Sequence, residues 1–261
     1  MHVQVLASGS RGNSLLVRAG ELHLLLDAGL PLGELEQRLD QARVSPDRLD
    51  AIALTHGHLD HVRAAGLLAK KSGATLICCE ALMRNNSVRS APRLRTLKVG
   101  SPLEIASSRG ADRISLLGVT VPHDAEPTLA FRVEHQGRIA CLVTDLGSPE
   151  PALKHRLGDA HLAVLEFNHD AQRLAEGPYP RKLKKRILSS RGHLSNTQAG
   201  ECLRALANPN LHTLVLAHLS SENNTPELAL AAAETALQAA GRGNVRLIVA
   251  EQESVGTNLR V

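Results

Sequence analysis

The sequence predicts an α/β domain in which two β-rich halves are covered by helices. Three observations carry that expectation. Short apolar runs of strand length open the chain, a strand-rich middle follows, and strand–helix alternation returns in the last third. The 261 residues suit one domain spanning 1–261, and no internal repeat, long linker or low-complexity segment divides them.

Residues 3–7, 14–18 and 23–26 are apolar runs separated by the turn residues Gly9, Gly12 and Gly20, and read as strands. A helix is expected after Pro31, where Leu32, Leu35 and Leu39 recur at helical spacing. Residues 50–54 form a buried-type strand that ends in Thr55-His56-Gly57-His58, and one helix is expected from there to about Lys70. A strand over 75–78 and a weak helix over 80–89 come next. The middle holds strands at 113–121, 129–135 and 138–144, with a hairpin turn at Gln136-Gly137. The last third alternates strands at 162–167 and 213–217 with helices at 196–207 and 226–239.

Composition narrows the function classes. With one Tyr, two Phe and no Trp, the core must be built from Leu, Val, Ile and Ala, and an aromatic platform for stacking bases is nearly excluded. The formal charge of +4 is a weak pointer to an anionic partner. Cys78, Cys79, Cys141 and Cys202 form no C-x-x-C pair, so neither a disulfide framework nor a cysteine zinc site is expected. The N-terminal stretch lacks the pattern of a signal peptide and no run approaches a membrane span, so a reducing, cytoplasmic setting is expected.

The strongest chemical signal is the run from His56 to Asp60 and His61, an H-x-H-x-D-H pattern placed where a strand meets a helix. His56 and His58 stand two apart in an extended turn, so their rings can face one ion. Asp60 and His61 can turn toward a second. Imidazole and carboxylate together suit zinc, manganese or iron(II). Three more candidates each follow an apolar run: His123, Asp145 and His218. Each alone is as readily a capped strand end, but together they would place ligands along one rim.

In this order, Asp27, the HGHLDH block, His123, Asp145 and His218 resemble the metallo-β-lactamase superfamily over nearly the whole chain. The blocks SGSRGNS, LEFNHD, GHLSN and HLSSENN resemble its YycJ/WalJ-like subgroup. The resemblance implies a four-layer αββα sandwich and a two-metal phosphodiester hydrolase, a DNA exonuclease acting on double-stranded DNA with a role in DNA repair. It implies two divalent ions, zinc first and manganese or iron(II) as alternatives. His56, His58 and His123 would hold the first ion. Asp60, His61 and His218 would hold the second, Asp145 would bridge, and Asp27 would orient the histidine turn from behind.

Asp60, His193 and Glu166 are the expected catalytic residues. His193 resembles the histidine that ribonuclease Z-like relatives place beside their metals, and Glu166 would orient it or share its proton. For His169, substrate contact and structural hydrogen bonding stand equally open. Five of the six residues 181–186 are basic, so Arg181, Lys182, Lys184 and Lys185 are candidate phosphate contacts, although such a run is as often a solvated helix face. Arg11, in the glycine-rich turn, is a further candidate. Two other readings stand beside the nuclease: a PhnP-like hydrolase of small or cyclic phosphodiesters, and an inactive DNA-binding scaffold. A complete ligand set argues against the scaffold.

Overall fold

In a computed structural model, which describes residues 1–150 and 153–261, the apolar runs assemble into two seven-stranded mixed sheets. The first holds β1 (His2–Ala7), β2 (Ser14–Ala19), β3 (Leu22–Leu26), β4 (Ala51–Ala53), β5 (Thr75–Cys78) and β6 (Leu94–Thr96). It begins as an antiparallel meander and is parallel from β3 to β6. The second holds β7 (Leu103–Ala106), β8 (Arg113–Val121), β9 (Thr128–His135), β10 (Arg138–Val143), β11 (Leu162–Glu166), β12 (Thr213–Ala217) and β13 (Arg246–Val249). It is antiparallel through β10 and parallel beyond. The last strand, β14 (Leu259–Arg260), returns to pair with β1.

Helices α1 (Leu32–Gln41), α2 (Leu59–Val62) and α3 (Ala65–Ser72) belong to the first half. Helices α4 (Leu153–Leu157), α5 (Ala171–Glu176), α6 (Arg181–Ile187), α7 (Asn196–Leu206) and α8 (Pro226–Ala239) belong to the second. Leu35, Leu39 and Leu68 pack α1 and α3 on the first sheet, while Leu153, Leu203 and Leu237 pack α4, α7 and α8 on the second. Between the sheets Leu24 and Leu26 meet Leu116, Phe131 and Val164. These are the four layers that the resemblance implied. Strands β3 and β11 are covered on both faces and so read as continuous apolar runs, whereas the antiparallel β8 alternates.

The core is aliphatic apart from Phe131 and Phe167, each fully buried. All four cysteines are buried free thiols. Among the described residues no helix is long and apolar enough to cross a membrane. The expected hairpin turn is present, with Gln136 and Gly137 at φ 49° and 74°, the left-handed pair that a two-residue turn requires.

Two expectations about helices need correction. The single helix from the histidine turn to Lys70 is two, α2 and α3, because Ala64 N–H donates to Ala28 O and Gly66 N–H to Ser87 O. Those bonds take the donors that a continuous helix would have used. The weak helix over 80–89 is a short 3-10 turn, Glu80–Arg84. It stops at Asn85, whose side-chain oxygen accepts from Ser87 N–H and bends the chain away.

Strands β3, β4 and β5 run in one direction in the first sheet, as do β8, β10, β11 and β12 in the second. Their carboxyl ends form one rim, and the candidate residues leave from it. Asp27 and His218, which directly follow strands, and Asp145, two residues after β10, take φ of 61°, 57° and 58°. Non-glycine residues rarely adopt this conformation, and it persists where surrounding contacts enforce it.

Candidate metal centre

The histidine turn is built on Asp27. Its Oδ1 accepts Thr55 N–H at 2.8 Å, and its Oδ2 accepts the Thr55 hydroxyl at 2.9 Å and lies 2.8 Å from His61 Nδ1. One buried carboxylate thus fixes both the start and the end of the run from His56 to His61. The backbone closes around it: Asn13 N–H donates to Asp60 O and Ala28 N–H to His61 O, both at 2.8 Å. Gly29 makes this approach possible, since a Cβ there would stand 1.6 Å from Asp60 O.

Two sets of ligating atoms result, and all seven expected ligands take part. In the first, His56, His58 and His123 bring nitrogens within 4.8 Å of one another, with His56 Nε2 3.1 Å from His58 Nδ1. In the second, Asp60 Oδ2 lies 3.6 Å from His61 Nε2 and 3.9 Å from His218 Nε2. Asp145 stands between the sets. Its Oδ2 is 3.3 Å from His61 Nε2, and its Oδ1 is 3.7 Å from His218 Nε2 and 3.9 Å from His123 Nε2.

His123 Nε2, His218 Nε2 and Asp145 Oδ2 are buried polar atoms without a hydrogen-bond partner. Leaving such atoms unpaired is unfavourable by about 1–3 kcal/mol each. Three that converge on one place, among nitrogen and oxygen donors, fit divalent cations.

Electrostatics separates the two sets. Burial pushes His56 well below the ordinary imidazole range and also lowers His58 and His123, which favours the neutral form of these rings. Burial also opposes charge on His61, yet Asp145, Asp27 and Asp60 raise it to about 9. The same contest holds His218 well above its usual value, through Asp145, Asp60 and Glu166. Asp145 is buried too, and the surrounding histidines, His218 first, keep its carboxyl well below the ordinary range.

The second sheet adds the remaining expected residues. Glu166, fully buried at the end of β11, accepts Leu146 N–H at 2.8 Å through Oε2 and lies 2.7 Å from His193 Nδ1 through Oε1. Burial works against its charge, but His193 and His218 draw its pKa below the usual value. His193 opens onto a cleft of about 220 Å³, which Ser10, Asp124, Asn168, Arg186 and His218 also line. The structure therefore brings Asp60, Glu166 and His193 to one centre.

The expected substrate contacts are only partly assembled there. His169, open between substrate contact and structural hydrogen bonding, is 1% exposed, and its backbone is bridged to Ser195. Arg11 is exposed and paired with Glu253 and does not line the cleft, while its neighbour Ser10 does. The basic run forms α6. Arg181, Lys182 and Lys185 are exposed and Lys184 is tied to Ala175 O at 2.6 Å, but the cation that lines the cleft is Arg186.

Sequence reasoning missed Asn13, whose Nδ2 lies 3.1 Å from His61 Nε2, and Asn168, whose Nδ2 donates to His218 O at 2.9 Å. Both lie in blocks that carried the resemblance, which was the available signal. It also missed Asp124, which sits 3.3 Å from His58 Nε2 and directly follows a ligand.

Comparison with known proteins agrees with this geometry. The model of the metallo-beta-lactamase superfamily matches residues 7–218. Exodeoxyribonuclease WalJ of Streptococcus pneumoniae serotype 2 is 33% identical over 227 residues, covering 86% of this chain and 84% of that protein. Exodeoxyribonuclease YycJ of Bacillus anthracis is 32% identical over 247 residues, covering 93% and 91%. Among solved structures, the metallo-beta-lactamase fold protein YhfI of Bacillus subtilis superposes with a TM-score of 0.74 over 98% of both chains, at 18% identity.

Proposed function

The chain belongs to the metallo-beta-lactamase superfamily, and from that premise we propose that it is a metal-dependent exodeoxyribonuclease acting on duplex DNA. The observation that carries the reading is the convergence of His123 Nε2, His218 Nε2 and Asp145 Oδ2, buried and unpartnered, between two candidate ligand sets, with His218 also lining the cleft. The names of relatives at 32–33% identity supply the substrate class. On this reading residues 1–261 act as one hydrolase domain in the reducing cytoplasm, a setting that suits four free buried thiols.

His56, His58 and His123 would hold one divalent ion, and Asp60, His61 and His218 a second, with Asp145 shared between them. The imidazole–carboxylate donor set suits zinc first, and manganese or iron(II) next. Bound there, such ions supply Lewis acidity toward a phosphodiester and a nucleophile at neutral pH.

The chain's own residues do the rest. Asp27 fixes His61 by holding Nδ1, which leaves Nε2 to face the centre. Glu166 is locked as an acceptor by Leu146 N–H and so keeps the hydrogen of His193 on Nδ1. When the ring carries a second proton, that proton is on Nε2, the atom placed to give it to the leaving oxygen, while Nδ1–H stays hydrogen-bonded to Glu166. Arg186 offers a fork of donors to the phosphate backbone in the same cleft.

The test is end-labelled duplex DNA incubated with the purified protein and Mn²⁺ or Zn²⁺, beside Asp145→Ala. Progressive shortening by the wild type alone supports the reading. Intact DNA with both metals, together with hydrolysis of a cyclic nucleotide, would replace it with the small phosphodiesterase.

A further inference from the structure

The three histidines of the first set each have one nitrogen turned inward, and the partners of the outward nitrogens follow a pattern. His56 Nδ1 lies 3.0 Å from Thr55 Oγ1, and His123 Nδ1 lies 2.9 Å from Gly192 O. His58 directs Nδ1 at His56, so its outward atom is Nε2, and 3.3 Å from it stands Asp124 Oδ1. Each ring thus faces an oxygen on the side away from the centre. Such partners set the tautomer and aim a histidine ligand. Of the three, Asp124 alone supplies a charge.

The same carboxylate has a second partner. Its Oδ2 accepts Arg186 Nε at 2.5 Å, and Arg186 is the cation of α6 that lines the cleft. The Asp124 side chain is 30% exposed and that of Arg186 56% exposed, so the pair sits at the cleft surface where a polynucleotide backbone would pass. Oδ1 is also 3.4 Å from His123 Nε2, but that nitrogen is the inward one and belongs to the centre.

We propose that Asp124 is a positioning residue that couples the phosphate-facing helix to the metal centre, aiming His58 through Oδ1 and holding Arg186 over the cleft through Oδ2. The proposal rests on the metal-dependent nuclease reading and deepens it. One carboxylate in this place makes the direction of a metal-holding ring depend on how the substrate-facing arginine sits. Each half has a different chemical requirement. His58 Nε2–H needs only an acceptor, which asparagine also offers. Arg186 needs a negative charge to be held in a fixed pose.

The experiment measures Zn²⁺ binding to the metal-free protein by chelator competition, and KM and kcat on duplex DNA, for Asp124→Ala, Asp124→Asn and Arg186→Gln. Asp124→Ala is expected to weaken one of the two Zn²⁺ dissociation constants about 10–100-fold and leave the other unchanged. A general loss of structure would weaken both. Asp124→Asn is expected to restore that constant to within about threefold while KM for DNA stays raised, and Arg186→Gln to raise KM with both constants as in the wild type. Wild-type binding by Asp124→Ala, or Asp124→Asn as defective toward zinc as Asp124→Ala, would overturn the proposal. A wild type that binds zinc, is weakened by Asp124→Ala and cuts no DNA would refute the nuclease reading while supporting the role of Asp124 at His58.

Discussion

The two sides of the rim are built in opposite ways. On the first sheet, the run from Thr55 to His61 is one continuous stretch, pinned by Asp27 and by backbone bonds from Asn13 and Ala28. On the second, His123, Asp145, His193 and His218 come from four separate loops and Glu166 from the end of β11, and their side chains approach one another to 3.9 Å or less. The contrast teaches a division of labour. On the proposed function, the contiguous turn would give ligand geometry, whereas the mesh of distant segments would give charge balance, a proton donor and an opening for substrate. Perturbing the mesh should therefore affect chemistry and pH response, and perturbing the turn should affect ion affinity.

The largest effect is expected at Asp145, which serves both sides. Asp145→Ala should lower kcat on duplex DNA by about a thousandfold or more, roughly 4 kcal/mol of barrier, with less bound metal. Metal analysis and end-labelled substrate check this, and near wild-type turnover would erase the distinction between the two sides. Next is His193→Gln, expected to lower kcat on the order of 10²–10³-fold while metal content stays unchanged. His193 also lies in a possible ligand group with His123 and Asp145. Loss of metal in this variant would reassign it from proton donor to ligand.

A third prediction concerns His169, buried within the mesh with neither ring nitrogen bonded. Burial lowers its pKa from 6.5 to about 4. The unfolded chain then binds the proton first, so the stability tied to this residue is complete above about pH 6.5 and is lost as pH falls through 4. Denaturant unfolding of the metal-free protein should show a loss of roughly 2–3 kcal/mol between pH 7.5 and 4.5 from this group. His169→Phe, which removes the titration and keeps a ring, should reduce the difference. An unchanged pH dependence would show that His169 does not carry it.

The smallest effect is expected at the turn's support. Asp27→Asn retains an acceptor for Thr55 N–H but loses the charge beside His61. Zn²⁺ affinity should fall about 10–100-fold, about 1–3 kcal/mol, with kcat of the fully loaded enzyme within a fewfold of wild type. A kcat defect larger than that of His193→Gln at saturating metal would contradict the division between the two sides.

Legibility in the sequence follows the same contrast. The HGHLDH run was readable because its geometry is local. The three other candidate ligands, His123, Asp145 and His218, were readable because each follows an apolar run. Strands buried on both faces showed as apolar stretches, and the hairpin at Gln136-Gly137 showed through its turn chemistry. The short, exposed β6 has no apolar pattern to read. The division of the expected helix into α2 and α3 depends on bonds from Ala64 and Gly66 to distant loops, which no local propensity records. Arg11 and His169 do not line the cleft for a related reason. Neighbours in a motif share sequence, but the fold decides which side chain faces the cleft.

By itself the sequence determined the α/β class, the aliphatic core, the candidate ligand types and the turns and strand ends they leave from, because strand length, residue polarity and turn chemistry are local properties. Only the tertiary structure decided which nitrogen of each histidine faces inward, which cation of α6 reaches the cleft, and that Asp124 stands between His58 and Arg186. Those facts depend on contacts a few ångströms long between residues far apart in the chain, Asp124 and Arg186 being 62 positions apart.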